Sequence, residues 1–216
     1  MPHASLDDAG LYPRIDPEAL RDRIAGLPGQ LEEAWGAAQA LDLPPAYAGA
    51  QRIVILGMGG SGIGGALLRG LALDLGATTP VSVVRGYRLP AWVGDRTLVI
   101  ASSNSGNTEE IVAAFEQAIV SNARCIAVAA GGRVLELAAA HGIPALRVEW
   151  NAEPRAALGW SYASLIAVTM RLGLLPDLTA EFSAAVGELR SEGGALWSDL
   201  PAPSNRAKQL GRRGQG

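Results

Sequence analysis

The sequence predicts an α/β protein: a parallel five-stranded sheet flanked by helices, a Rossmann-like three-layer sandwich, with a helical extension at its N-terminal end. Three observations carry that expectation. Short continuous apolar runs alternate with longer segments of helical periodicity, the pattern of strand–helix–strand units. The first of these runs ends in glycine, as expected of a strand buried on both faces where the chain turns into a helix. The composition agrees, with 27 glycines in 216 residues, 5% aromatic residues, 49% hydrophobic residues and 18% charged ones.

Taken in order, residues 1 to 12 read as a loose tail. Asp16-Pro17-Glu18 then reads as a helix start, with Asp16 as N-cap and Pro17 at the first helical position. Leu20, Ile24 and Leu27 form its apolar stripe. A second helix is expected over Gln30 to Leu41, and the pair reads as a lid or packing element. Ile53 to Leu56 is the first strand and Gly62 to Leu75 the helix after it. Val81 to Val84 and Thr97 to Ala101 are strands two and three, and Thr108 to Ser121 is helical. Cys125 to Ala129 is the fourth strand, Val134 to Ala140 a helix, and Ala145 to Val148 the fifth strand. Helices are expected over Ala156 to Leu172 and Ala180 to Trp197. Pro201-Ala202-Pro203 signals a linker, and Ser204-Asn205 could cap a short helix reaching Leu210. The expected organisation is therefore an extension over 1–48, the α/β domain over 49–200, and a linker or tail over 201–216 that reads as the start of something absent.

Bulk properties exclude several classes. Net charge is −3 with no basic stripe, which argues against nucleic acid as a partner. The single cysteine, Cys125, excludes an internal disulfide and a cysteine metal cluster, and its apolar surroundings suit a buried, inert thiol. No signal-peptide pattern opens the chain, and no apolar run approaches the roughly 20 residues that span a bilayer. A soluble cytoplasmic protein with no membrane partner is the expectation. Lys208 is the only lysine, so an arginine is the expected cation for any anion bound in the body of the chain.

Two loops carry chemistry. Gly57-Met58-Gly59-Gly60-Ser61-Gly62-Ile63-Gly64-Gly65 follows a strand and opens a helix. Backbone N–H groups left over at a helix start, together with its dipole, favour an anion there, and Ser61 adds a hydroxyl. The spacing Gly57-x-Gly59-x-x-Gly62 also matches the dinucleotide fingerprint. NAD would want an acidic residue ending the second strand, where this chain has Arg85; that residue would permit NADP instead. The second loop, Ser102-Ser103-Asn104-Ser105-Gly106-Asn107-Thr108-Glu109-Glu110, brings three hydroxyls, those of Ser103, Ser105 and Thr108, to another helix start. Neutral donors in that number suit a phosphate monoester dianion. Simple N-capping would account for Thr108 but leaves Ser103, Ser105 and Asn107 without a purpose. Adjacent parallel strands would set both loops on the carboxyl edge of the sheet, where ligands bind in this fold class.

Gly57 to Gly64 together with Ser103 to Thr108 resemble the two signature loops of the SIS (sugar isomerase) domain. With Glu153-Pro154-Arg155-Ala156-Ala157-Leu158-Gly159 and Asn205-x-Ala207-Lys208-Gln209-Leu210, the chain resembles the bifunctional phosphoglucose/phosphomannose isomerase family over roughly Gln51 to Leu210. The resemblance implies aldose–ketose isomerisation of glucose 6-phosphate, mannose 6-phosphate or fructose 6-phosphate, with no metal and no cofactor. It implies that Gly60 and Ser61 contact the sugar phosphate, that Ser103, Ser105 and Thr108 hold the phosphate oxygens, and that Arg155 lies near the reacting end of the substrate. An arginine there could stabilise an enediolate, although a surface arginine covering apolar neighbours would read the same way.

The resemblance implies that the acid–base residues lie in a second SIS domain after the linker, so the chain is expected to be incomplete as a catalyst. Of its own candidates, His3 lies in the tail, His141 reads as a helix C-cap before Gly142, and Glu153 and Glu109 have no evident partner to tune them. No base is assigned. A non-catalytic sugar-phosphate sensor or remnant is the alternative function, with an NADP-binding oxidoreductase domain the weaker one. The apolar residues of the last long helix, Phe182, Val186, Leu189 and Trp197, leave self-association as a homodimer open.

Overall fold

The computed structural model describes residues 6–150 and 153–213. Its elements in chain order are α1 (Tyr12–Ile15), α2 (Leu20–Ala25), α3 (Leu27–Ala40), β1 (Arg52–Leu56), α4 (Gly59–Asp74), β2 (Val81–Val84), β3 (Thr97–Ser103), α5 (Glu109–Val120), β4 (Arg124–Ala129), α6 (Gly132–Ala140), β5 (Ala145–Arg147), α7 (Leu158–Arg171), α8 (Thr179–Leu196) and α9 (Arg206–Arg213). Short 3-10 turns occupy Pro45–Gly49, Pro154–Ala156 and Ala202–Ser204. The chain divides into two compact units, one running up to Gly29 and resuming at Thr179, the other Gln30–Leu178.

The larger unit holds the sheet. All five strands are parallel, in the order β2-β1-β3-β4-β5, as the alternation of strands and helices predicts. Strand residues from Ile53 to Leu56, and all of β3, are buried, because helices cover both faces of a parallel sheet. The two-residue period divides the core. Val54, Leu56, Val99, Ala101, Cys125, Ala127 and Ala129 join α5 and α6 through Ile111, Phe115, Val134 and Leu137. The intervening residues, such as Ile53, Ile55, Leu98 and Ile100, are equally buried and face the other way. Cys125 sits inside this core, and burial pushes its thiol up to about 12, so it stays protonated and inert as expected. Arg171, in the last turn of α7, donates to Ala38 O and Leu41 O at 2.7 and 2.6 Å, satisfying carbonyls left over at the end of α3.

Three expectations are corrected here. Asp16 does accept backbone N–H groups, from Leu20 and Arg21, but the helix starts at Leu20 rather than Pro17. Ala19 takes a left-handed conformation (φ 52°) between them, so Asp16 caps across a turn and Pro17 stands outside the helix. The first glycine-rich helix begins at Gly59, three residues before the expected Gly62. The added turn is Gly59-Gly60-Ser61, entered through Gly59 at a positive φ of 48° that glycine adopts freely.

The third correction concerns the N-terminal segment, whose described part, residues 6–12, is not loose. In the smaller unit Asp7 accepts hydrogen bonds from Lys208 Nζ at 3.0 Å, Ala202 N at 2.9 Å and Arg212 Nη2 at 3.0 Å. The short helix expected after Asn205 forms as α9, with Asn205 Oδ1 accepting from Lys208 N at 3.1 Å as its cap. His3 and residues 214–216 lie outside the described residues. The hydrogen bond from Lys208, then that from Ala202 and the charges of Lys208 and Arg212, hold the Asp7 carboxyl below its ordinary 3.8. A lowered folded value means the tether is present above 3.8 and is lost as pH falls through that lower value. Hydrogen exchange at the Ala202 amide should therefore show steady protection from neutral pH down to 3.8 and a loss below it. Asp7→Asn should lack that acid-dependent loss and show weaker protection at neutral pH; identical protection in both proteins at every pH would refute the tether.

Candidate functional site

In an open parallel sheet, ligands bind outside the carboxyl ends of the strands where the strand order reverses. Here that point lies between β1 and β3, since β2 falls to one side of β1 and β3 to the other. Leu56 of β1 pairs with Ala101 of β3, so the two chemistry-bearing loops leave neighbouring strands at the same edge.

The first loop turns tightly into α4. Gly62 makes that turn possible: a Cβ there would stand 2.6 Å from Gly57 O and 3.1 Å from Arg85 Nε. The N-cap residue Met58 is extended (φ −108°, ψ 157°) and offers no side-chain cap. The N–H groups of Gly59, Gly60 and Ser61 thus stand at the helix start without intrahelical acceptors, and Ser61 is buried beside them. Arg85, read above as a possible partner for a 2′-phosphate, donates from Nη2 to Gly62 O at 3.3 Å, an intramolecular role that braces the glycine loop.

The second loop opens α5. Thr108 occupies the N-cap position, but its hydroxyl makes no cap bond. Instead Thr108 Oγ1 and Ser103 Oγ share a hydrogen bond at 3.1 Å, while Ser103 Oγ accepts from Gly106 N at 3.2 Å. Ser105 is exposed and accepts from Asn107 N at 3.2 Å. Asn107 turns out to have a structural purpose, because its Oδ1 accepts from Arg133 N at 2.9 Å in the first turn of α6. Proton counting leaves Ser105 O–H free to donate, together with one of the two hydroxyl protons of Ser103 and Thr108. With the N–H groups of Glu109 and Glu110, that makes a donor-rich cluster at a helix start.

Strand β3 runs two residues beyond its expected end at Ala101, to Ser103. Alternation then sends Ser103 to the α5 side and Ser102 with Asn104 to the opposite side. On that opposite side, Ser61, Ser102, Asn104, Val128, Trp160 and Ser161 line one small cavity. The structure thus brings Ser61 together with the serine loop through Ser102 and Asn104, and Ser103 and Thr108 form a second hydroxyl group round the same turn. Asn104, Trp160 and Ser161 were not singled out from sequence: Asn104 was quoted only as loop, and Trp160 and Ser161 reach the cavity from a helix more than 50 residues downstream.

Arg155 sits exposed in the 3-10 turn Pro154–Ala156, two residues before Ala157, which lines the cavity wall. Its side chain is not part of that lining. Trp150 Nε1 donates to Glu153 O at 3.2 Å, fixing the backbone that leads into this turn. His141 stands at the C-cap of α6, before Gly142, on an exposed surface. Among the described residues no group of three or more histidine, cysteine, aspartate or glutamate side chains could hold a metal. None of their helices is long and apolar enough to cross a membrane.

No protein-family model matches the chain. It is 36% identical over 189 residues to a bifunctional phosphoglucose/phosphomannose isomerase of Caldicellulosiruptor bescii, covering 88% of this chain and 56% of that protein. The chain therefore spans about half the length of that curated relative. Its fold is similar to that of a candidate phosphosugar isomerase from Clostridium difficile 630, with a TM-score of 0.60 at 14% identity, over 82% of this chain and 52% of that one. It is also similar to the Vibrio vulnificus NanR protein complexed with ManNAc-6P, with a TM-score of 0.51 at 19% identity, over 85% and 70% of the two chains. Sequence and fold agree: this chain is a relative of the bifunctional phosphoglucose/phosphomannose isomerases over about half their length, with the fold of the SIS domains.

Proposed function

We propose that the chain binds a phosphorylated sugar at the carboxyl ends of β1 and β3, as the SIS domain of a glucose 6-phosphate/mannose 6-phosphate (aldose–ketose) isomerase. One observation carries the reading: two helix starts lacking side-chain caps, α4 and α5, open from adjacent strands at the point where strand order reverses. Ser105 and one proton of the Ser103–Thr108 pair meet the phosphate oxygens, with the amides of Glu109 and Glu110 behind them. Gly60 and Ser61 close the other side. Arg155, two residues before Ala157 of the cavity wall, would face the charge that develops on an enediolate. The kinship with bifunctional isomerases and the likeness to a protein complexed with ManNAc-6P support this class of ligand.

Binding without turnover is the second reading. It is favoured by the cavity lining, in which serines, an asparagine and a tryptophan stand with apolar residues and no carboxylate or histidine is present. Isomerisation needs a base to move a proton between two carbons. The chain alone is accordingly expected to turn over fructose 6-phosphate poorly or not at all, while still binding it.

The two loops are expected to raise the melting temperature with glucose 6-phosphate, fructose 6-phosphate or mannose 6-phosphate, and not with NADP. A rise with NADP and none with any of the three sugar phosphates would overturn the proposal in favour of an oxidoreductase domain. Robust turnover by the chain alone would overturn the non-catalytic reading and direct attention to Glu153 and His141.

A further inference from the structure

The cavity behind Ser61 contains two buried polar atoms with no hydrogen-bond partner, Trp160 Nε1 and Asn104 Oδ1. Trp160 is 3% exposed. Leaving such an atom unpaired forfeits its hydration with nothing in return, and native interiors contain few of them. These two share one cavity, so a single bound group can satisfy both.

Size and chemistry narrow the group. The cavity measures about 10 Å³, room for one water-sized group. The indole N–H can only donate, and the amide oxygen can only accept. What fits between them must accept from one and donate to the other. A hydroxyl does both. A phosphate dianion or a carbonyl oxygen only accepts, and would leave Asn104 Oδ1 facing another acceptor. Ser61 and Ser102, on the same wall, offer further hydroxyls to the guest. Ser161 Oγ donates to Leu158 O at 3.2 Å, which directs its lone pairs rather than its proton toward any neighbour.

We propose that this cavity is a single-hydroxyl site, sharing only Ser61 with the phosphate cradle, in which the guest accepts from Trp160 Nε1–H and donates to Asn104 Oδ1. The hydroxyl belongs either to the sugar or to a resident water. The sugar case rests on the proposed function; the water case does not. If it is the sugar, Trp160 and Asn104 select among sugar phosphates by a hydroxyl, since a buried pair built to bond one discriminates against ligands that lack it.

The test uses the whole chain, with glucose 6-phosphate, its monodeoxy analogues and inorganic phosphate as probes. Crystals grown with and without glucose 6-phosphate should show an oxygen within hydrogen-bond distance of both atoms. If the sugar supplies it, Trp160→Phe should weaken glucose 6-phosphate binding about tenfold, the scale of one buried hydrogen bond. Inorganic phosphate affinity should hold steady, one deoxy analogue should bind the wild type as weakly as glucose 6-phosphate binds the variant, and the Trp160 indole N–H resonance should move with the sugar phosphate only. If water supplies it, that oxygen is present in both crystals and Trp160→Phe leaves both affinities unchanged. In that case Trp160→Phe and Asn104→Leu should each lower the melting temperature, and the double variant should lose less than the sum. A cavity without density in both crystals, or one in which a protein atom satisfies Trp160 Nε1, overturns the proposal. Failure of every sugar phosphate to bind would instead remove the proposed function and leave the water case to the ligand-free crystal.

Discussion

Gly106→Ala is expected to be the most damaging single methyl that can be added to this protein. Gly106 sits at φ +68°, where an alanine is strained by about 1–2 kcal/mol. The added Cβ would also overlap the backbone carbonyl oxygen of Gly131, which cannot swing aside as a side chain could. The surroundings are pinned: Gly106 N donates to Ser103 O and Oγ, and Gly106 O accepts from Val134 N at 2.9 Å. Relieving the overlap therefore means separating the starts of α5 and α6, which Asn107 Oδ1 also joins through Arg133 N. Conformational strain and overpacking together come to roughly 2–5 kcal/mol, or a fall in melting temperature of about 4–20 °C. The control is Gly70→Ala, on the exposed side of α4, where the new Cβ meets nothing within 4 Å. Helix propensity makes that change neutral or stabilising by up to about 1 kcal/mol. Gly106→Ala melting with the wild type in a thermal or urea scan would show that the serine loop is not held as described.

That loop also marks how far the sequence could be read. The sheet was legible because buried parallel strands are apolar throughout, so Ile53 to Leu56 and Cys125 to Ala129 stand out from their surroundings. The same rule stopped β3 at Ala101, because Ser102 and Ser103 are polar. Both nonetheless pair with β4, opposite Val128 and Ala129, and both are buried. Those two residues decide the geometry of the site, for they set Ser102 and Ser103 on opposite faces and divide a single expected cluster in two. The helix starts were legible as anion sites from glycine and serine content alone. Which hydroxyls were already engaged with each other was not, since the Ser103–Thr108 contact depends on the backbone between them. Trp160 and Ser161 illustrate a harder limit. Their place beside Ser61 follows from how α7 packs on α4, a long-range contact with no local signature.

Ser105→Ala combined with Thr108→Ala should weaken sugar-phosphate binding at least about tenfold, because a hydrogen bond to a charged group is worth roughly 1.5–3 kcal/mol and the Ser105 donor is lost outright. Neither change should disturb folding much. Ser105 is exposed, and Thr108 makes no cap bond that alanine could lose. The single variants should differ. Ser103 and Thr108 spend one of their two protons on each other, so removing Thr108 frees the Ser103 proton to donate in its place. Thr108→Ala alone is therefore expected to cost less than Ser105→Ala, whose donor has no understudy, and Ser103→Ala with Thr108→Ala should cost more than either. Titration calorimetry with glucose 6-phosphate and inorganic phosphate measures all of these. Both ligands should weaken together, since the residues meet the part the two have in common. Affinity of the Ser105→Ala/Thr108→Ala variant within about twofold of wild type would reject the hydroxyl cradle and leave only the backbone amides of α4 and α5 as the source of anion binding.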